Sequence, residues 1–323
     1  TKVSTDLIDL SGNTGGLVWA KGPTTGQPAS ATAGEMRVDT TTNTTLVYNG
    51  TQWKTLKETA FVVPPIPTHF LVIAGGGGGG GQQNSGGGGA GGFRTSYSTT
   101  GGGGSAESTI NISLNTAYTI TVGAGGAGAS PYNIGSNGFD SLFATVTSTG
   151  GGGGGGVGVN GASGGSGGGA AYLSSSPGVA VTTPVVQGYD GGTGVNAGAN
   201  YGSGGGGGAG GLGQNGTSSA VGNGGAGLAS SITGSSVTRA SGGSGGGNSI
   251  TPIATPGGGS INTSDATPNT GGGGGGASNL PTPTSTSGKS GGSGVVILRY
   301  PTADLPYFTT TGTLNTPSAT DTV

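Results

Sequence analysis

The chain has 323 residues, of which 84 are glycine; only 6% are charged, and the formal net charge is −2. Average proteins contain about 7% glycine and about 25% charged residues. The small number of Lys and Arg, with no basic run, gives no support for binding nucleic acid through its phosphates. The lack of Cys excludes disulfides and thiolate metal sites. Long helices are disfavoured because glycine costs about 1 kcal/mol per helical position relative to alanine, and the apolar runs are too short to span a bilayer.

Residues 1–60 predict a small all-β segment that serves attachment or oligomerisation. Met36 and Val38 alternate with polar residues, and Asn49-Gly50 is a dipeptide typical of a two-residue type I′ turn between strands. A hairpin or meander of this size is not stable alone. We therefore expect it to pack on copies of itself or on a partner.

Three further regions follow along the chain. Residues 61–70 are a Pro-rich connector, residues 71–300 form a glycine-rich domain, and residues 301–323 form an extended C-terminal tail. The glycine-rich part opens with HFLVIA and closes with GVVILRYP, two strand-like runs more than two hundred residues apart. This bracketing predicts that the two runs pair.

Glycine runs recur inside this domain as discrete blocks, separated by segments that carry Tyr, Phe, Leu and Val. A flexible linker would avoid these apolar residues. A collagen helix needs glycine at every third position without interruption, and glycine weakens the strands of a silk-like or amyloid-like sheet. The alternation of apolar residues in 110–122 is typical of β-strands.

These observations predict a mainly irregular and β fold. Its centre is a glycine-rich bundle of polyglycine II helices, similar in shape to polyproline II, with flanking short β-strands. Such a helix has three residues per turn and no internal hydrogen bonds. Its N–H and C=O groups must therefore bond to neighbouring segments, which is feasible only where no Cβ separates the backbones.

Two resemblances to known proteins are visible in the sequence. The stretch from DLIDLSGNTGG to YNGTQWKTL resembles segments of bacteriophage tail fibres, and 35–38 and 48–53 carry the match. The stretch from FLVIAGGGGGG to SGGSGVVILRYP resembles the glycine-rich domain of phage fibre and adhesin proteins. It is similar in kind to the receptor-recognising adhesins of some T4-like phages, whose glycine helices form a sandwich.

The resemblance implies a viral tail fibre protein, a structural and receptor-binding component located on the virion and therefore extracellular. Its implied partners are other tail and fibre proteins and a host surface glycan or outer-membrane protein. It also implies a homotrimer formed through the N-terminal segment, with a monomeric tip as the alternative.

Receptor-binding side chains are expected in the loops, because a glycine lattice presents none of its own. The longer inserts are 129–134, 170–190, 248–256 and 277–287, which contain aromatic residues and Asn but few charges. Such loops suit sugar faces or outer-membrane proteins, although each aromatic could instead pack on the flank of the bundle. The candidates are Tyr132, Asn133, Tyr172, Leu173, Tyr189, Ile253 and Leu280.

The sequence gives no support for catalysis. His69 is the only histidine and has no nucleophile or orienting residue nearby in the sequence. The triplet Gly288-Lys289-Ser290 imitates the end of a phosphate-binding loop, but Pro283 stands where that motif requires glycine. We therefore predict no enzyme activity, catalytic residue, cofactor, metal, nucleic-acid partner or membrane insertion.

Two other functions compete with receptor binding. One is a structural glycine-rich surface or sheath protein, or an ice-binding protein, without receptor specificity. The other is a glycan-cleaving fibre, which is weaker because no pair of carboxylates is evident.

Overall fold

The computed structural model describes residues 20–56, 64–113, 116–173, 176–197, 201–248, 257–260, 263–278, 287–301 and 321–322. The chain divides into two compact units, Thr1–Val63 and Pro64–Val323.

The first unit contains one four-stranded sheet in the order β1-β2-β3-β4. Its strands are β1 (Ala20–Gly22), β2 (Met36–Asp39), β3 (Thr44–Tyr48) and β4 (Trp53–Thr55), and a 3-10 turn lies at Thr24–Gly26. β1 runs parallel to β2, and the other pairs are antiparallel. Because side chains alternate across a strand, Arg37 and Asp39 share one face and Met36 and Val38 the other.

The predicted type I′ turn at Asn49-Gly50 is wrong. Four residues join Tyr48 to its partner Trp53, and of the dipeptide only Gly50 has a positive φ, 98°. The Asn49 side-chain oxygen accepts hydrogen bonds from the amides of Thr51 and Gln52 at 3.0 and 2.9 Å. The Asn49 side chain therefore stabilises a four-residue turn in place of the two-residue connection of a type I′ turn.

The second unit contains the remaining strands. They are β5 (Ile66–Ile73), β6 (Phe93–Thr95), β7 (Ile110–Ile112), β8 (Ile120–Thr121), β9 (Ser141–Phe143), β10 (Val146–Ser148), β11 (Leu228–Ser230), β12 (Val237–Arg239), β13 (Val295–Pro301) and β14 (Asp321–Thr322). One sheet has the order β14-β13-β5-β6, with β7 also paired to β5. Two smaller sheets have the orders β10-β9-β8 and β11-β12.

The predicted pairing of the two apolar runs is confirmed. β13 lies antiparallel to β5, with Val295 opposite Ile73 and Arg299 opposite His69. The glycine-rich domain is thus closed by two strands from its opposite ends.

Two apolar clusters lie on the two faces of β5, as the alternation of side chains along a strand requires. The first cluster consists of Leu71, Ile73, Ala90, Phe93, Ala209, Ile232 and Ala240. The second consists of Phe70, Val72, Phe143 and Val146. β13 contributes to both clusters, because Val295 and Ile297 pack on the first and Val296 and Leu298 on the second.

The glycine run 75–81 continues directly from β5 and bonds sideways to three other segments. Successive amides donate in rotation to carbonyls of segments 133–139, 288–292 and 86–89, with N···O distances of 2.8 to 3.0 Å. Each neighbour therefore receives a bond from every third residue. The lateral backbone bonding that the sequence predicted is present.

Steric contact explains why this run tolerates no side chain. A Cβ added at any of the seven glycines in 75–81 would lie 1.9 to 2.2 Å from a carbonyl oxygen of a neighbouring segment. Real Cβ atoms do not approach backbone atoms so closely. Glycine is therefore required here because the backbones approach so closely, although ordering glycine costs more conformational entropy than ordering other residues.

The predicted bundle of polyglycine II helices is wrong. The described residues contain no α-helix, and their helical elements are single 3-10 turns at Thr24–Gly26 and Gly101–Gly103. About 21% of the described residues are in strands, arranged in several small sheets, which is consistent with the mainly β part of the prediction. The regular elements are β-strands and the two 3-10 turns, whereas the amides of run 75–81 bond to three other segments and belong to none of these elements. None of the described helical elements has the length and hydropathy needed to cross a membrane.

Side-chain oxygens replace backbone carbonyls at the edges of the glycine segments. Asp140 Oδ1 accepts the Gly150 amide at 2.7 Å, and Asn137 Oδ1 accepts the Gly153 amide at 2.9 Å. Asn137 and Asp140 are three residues apart, and so are the glycines whose amides they accept, Gly153 and Gly150. Further examples are Asp190 with Ala180, Asn215 with Thr193, and Asp265 with Ser290.

Replacing Asp140 with alanine should lower the free energy of unfolding by about 1–3 kcal/mol, because the buried Gly150 amide loses its acceptor. Asp140→Asn keeps an acceptor oxygen and should cost clearly less. Urea unfolding of both variants measures the difference. An equal loss in the two variants would show that the charge, and not the hydrogen bond, is important.

Candidate functional site

Several loops meet where the glycine run 75–81 ends. The Gly81 amide donates to the carbonyl of Asn133 at 3.0 Å, and the Tyr172 amide donates to the carbonyl of Asn84 at 3.3 Å. The loops that contain Asn133 and Tyr172 therefore border the same turn, 82–84. We call residues 82–84, 130–134, 171–173 and 201 the loop end.

The turn at the centre of the loop end has an unusual backbone. Gln82, Gln83 and Asn84 have φ values of 57°, 36° and 56°, in the left-handed region that non-glycine residues seldom adopt. Asn84 is buried, and its Nδ2 donates to Asn248 Oδ1 at 2.8 Å. The Ser203 hydroxyl also donates to the Asn84 carbonyl. These bonds hold the turn in a conformation that costs of order 1–3 kcal/mol per residue.

A pair of tyrosine rings lies beside this turn. The ring centroids of Tyr172 and Tyr201 are 5.2 Å apart, and the rings are tilted by 56°. Leu173 follows Tyr172 and is exposed. Aromatic rings present a large apolar face together with a polar hydroxyl, a combination frequent in binding surfaces. The residues of the loop end include no charged side chain.

The two candidates in loop 130–134 differ in what their side chains do. The Tyr132 side chain is 61% exposed, and its backbone has a positive φ of 65°. The Asn133 Nδ2 donates to Ser130 Oγ at 3.1 Å and to the Pro131 carbonyl at 3.2 Å. Asn133 thus stabilises its own turn and presents Tyr132 to solvent.

Tyr189 is not one of the loop-end residues. Its amide donates to the Gly208 carbonyl at 3.0 Å, and its carbonyl accepts from the Gly167 amide at 3.0 Å. The residue is half-buried between glycine segments. Ile253 and Leu280, the other two predicted candidates, lie outside the described residues.

Sequence reasoning did not identify the turn 82–84 or Tyr201. The available signal for the turn was QQNS between two glycine runs, since polar residues that interrupt such a run mark its end. The partnership of Tyr201 with Tyr172 had no such signal, because the two residues lie in separate segments of the chain.

A second surface feature is an open cleft with exposed apolar residues. Ile120, Val122 and Phe139 are exposed apolar residues, and the last two line a cleft of about 620 Å³ together with residues 123–124, 138 and 140. Asp140 also lines this cleft, but its carboxylate accepts the Gly150 amide. The cleft therefore offers apolar contact and no charged group free of protein contacts.

Three ionisable side chains of the second unit, Arg94, Glu107 and His69, are engaged in structural contacts. Arg94 and Glu107 form an ion pair, and Arg94 Nη1 also donates to the Thr147 carbonyl at 2.9 Å. His69 Nδ1 lies 3.2 Å from the carbonyl oxygen of Ser96, and its ring meets the Tyr97 ring edge-on. Within the described part of the chain, no group of three or more His, Cys, Asp or Glu side chains could hold a metal ion.

Residues 51–301 match the family model of a glycine-rich domain, so the chain belongs to the glycine-rich domain family. A comparison with curated proteins found no match.

Proposed function

We propose that this chain is a phage tail-fibre or adhesin protein that attaches the virion to a host cell-surface receptor through the loop end. The receptor is a surface glycan or an outer-membrane protein, and the other partners are tail and fibre proteins of the virion. The observation that carries the proposal is the grouping of Tyr132, Tyr172, Leu173 and Tyr201 around the turn 82–84.

The physical basis of the proposal is preorganisation. Binding side chains that are already ordered lose little conformational entropy when a ligand arrives. The turn 82–84 continues a glycine segment bonded to three neighbours, and two side chains fix Asn84. Loops on a rigid scaffold are the usual place for recognition in proteins.

The lack of charge in the loop end defines the kind of contact. Long-range electrostatic attraction speeds association but is weakened by salt. Without charged residues, binding depends on apolar contact with the tyrosine and leucine side chains and on hydrogen bonds from the tyrosine hydroxyls. The proposal therefore includes an affinity that changes little with salt.

A cell-binding experiment tests this function. The labelled chain is exposed to a panel of bacterial strains, and its affinity for any strain that binds is compared with those of variants. Tyr172→Ala and Tyr201→Ala should each weaken binding at least tenfold, because truncating an aromatic anchor commonly costs 2 kcal/mol or more. Raising the salt concentration should change the affinity less than twofold.

Leu212→Ala is the matched control, since Leu212 is 61% exposed and lies outside the loop end. It should leave binding unchanged. Equal losses in the control and tyrosine variants would contradict the assignment of the loop end. A chain that binds no strain but stacks into filaments, or lowers the freezing point of its solution, would support the structural alternative instead.

A further inference from the structure

The first unit contains a cavity that is independent of the loop end. Its volume is about 370 Å³, and it is lined by Lys21, Gly26, Pro28, Glu35, Met36, Arg37 and Trp53. A volume of this size falls within the range of small-molecule sites in proteins.

Arg37 is a buried cation at this cavity. The residue is 4% exposed; its Nη1 donates to the Gly26 carbonyl at 2.9 Å and its Nη2 to the Pro23 carbonyl at 3.2 Å. Its Nε has no hydrogen-bond partner among the described residues, and in that part of the chain no carboxylate forms an ion pair with it. Buried charges in proteins are normally paired with an opposite charge.

Asp39, on the same strand, does not supply the missing contact. Its carboxylate accepts the Thr24 hydroxyl at 2.7 Å and the amides of Thr41 and Thr42 at 2.8 and 3.2 Å. The hydrogen bond from Thr24 is the main cause that lowers the pKa of Asp39 below its usual value, and the nearby charge of Arg37 contributes less. The Asp39 carboxylate thus stays ionised and bonds to the threonines.

Trp53 brings a second donor to the same cavity. Its ring lies 5.8 Å from Arg37 Cζ and 5.4 Å from the Tyr48 ring, so both neighbours limit its movement. Its Nε1 is buried and has no partner among the described residues. A buried indole N–H usually finds an acceptor, and leaving one unsatisfied costs about 1–3 kcal/mol.

We infer that this cavity binds a carboxylate group, which accepts hydrogen bonds from Arg37 Nε and Trp53 Nε1. The ionisable residues that line it, Lys21, Glu35 and Arg37, carry a net charge of +1, which matches one monoanion. A planar carboxylate offers two acceptor oxygens, one for each donor. The two nitrogens are closed off from water, so the atoms that cover them must move when the carboxylate binds.

Two sources can supply this carboxylate: an acidic residue of a neighbouring protein or a uronic acid of a glycan. The full-length chain, labelled with ¹⁵N, is titrated at constant ionic strength with N-acetylaspartate amide for the first source and with glucuronate for the second. The Trp53 indole signal is identified by its loss in Trp53→Phe. It should shift saturably with at least one of the two probes, and the tighter probe identifies the source.

A neutral isostere tests whether the carboxylate itself is recognised. N-acetylasparagine amide should produce less than a tenth of the carboxylate shift. Lys21→Gln should weaken carboxylate binding at least threefold while leaving the indole signal dispersed, which shows that the sheet is folded. In Trp53→Phe the indole signal is lost, so binding is followed by the Arg37 Nε–H signal. The affinity for the carboxylate should be at least fivefold weaker in this variant. A shift that does not saturate with either carboxylate, or an equal shift with the neutral amide, would overturn the inference.

Discussion

Replacing Gly88 with alanine should prevent the glycine-rich unit from folding stably. A Cβ at this position would lie 2.1 Å from the Gly77 carbonyl oxygen and 2.8 Å from that of Gly78. The Gly88 amide donates to Gly274 at 2.8 Å, and its carbonyl accepts from Gly243 at 2.9 Å. The backbone cannot move away from Gly77 without breaking these bonds. We expect a loss of more than about 4 kcal/mol, above the usual cost of about 1–3 kcal/mol for overpacking.

Gly211→Ala is the control for this prediction. A Cβ there would meet the Ala226 nitrogen at 3.5 Å and its Cβ at 3.7 Å, which are ordinary contacts, and the backbone φ is not positive. Alanine should therefore be neutral or stabilise the chain by about 0.4–1 kcal/mol, since it reduces the entropy of the unfolded state. Thermal unfolding of both variants measures the contrast. Similar stabilities would show that close backbone contact does not govern this unit.

The same contacts explain how a glycine-rich chain can be ordered. Each glycine costs about 0.5–1 kcal/mol more than alanine to order, and a net hydrogen bond returns about 1 kcal/mol. The entropic cost of ordering a glycine segment is therefore nearly balanced by its hydrogen bonds when all its amides are bonded, as in 75–81. The remaining stability has to come from the apolar clusters on β5 and from side chains such as Asp140 that satisfy edge amides.

The pairing of β5 with β13 could be predicted because both are apolar runs that bracket the glycine-rich region. The lateral bonding could be predicted because only residues without Cβ allow backbones to approach so closely. The secondary-structure class of the glycine runs could not be predicted. A glycine run has no side-chain period, and the apolar strands around it supply the regular elements.

Local chemistry explains most of the other differences. At Asn49 the side chain bonds to two amides of its own turn, a contact that the preference of Asn-Gly for type I′ turns does not include. The exposure of Tyr132 followed from its place in an insert. The contacts of Tyr172 with Tyr201 and of Arg37 with Trp53 join separate segments, and a single sequence contains no signal for them.

Ending the chain at Gly294 should abolish cooperative folding of the second unit. This truncation removes β13, the partner of β5 along five residue pairs. It also removes Val295 and Ile297 from one cluster and Val296 and Leu298 from the other. Burying an apolar side chain contributes about 1.5–3 kcal/mol when burial is complete. Four half-buried residues together with a strand pairing therefore approach the 5–15 kcal/mol stability of a typical domain.

A chain ending at Pro301 is the matched control, because it keeps β13 and loses only residues 302–323, including β14. Its structural loss among the described residues is the pairing of Tyr300 and Pro301 with the two residues of β14. We expect a cooperative transition with a modest decrease in stability. Amide exchange in 75–81 distinguishes the outcomes, since these amides should be protected in the longer chain and unprotected in the shorter one. Protection in both would mean that the glycine segments order without the strand that closes them, and the lateral bonds alone would then be sufficient for folding.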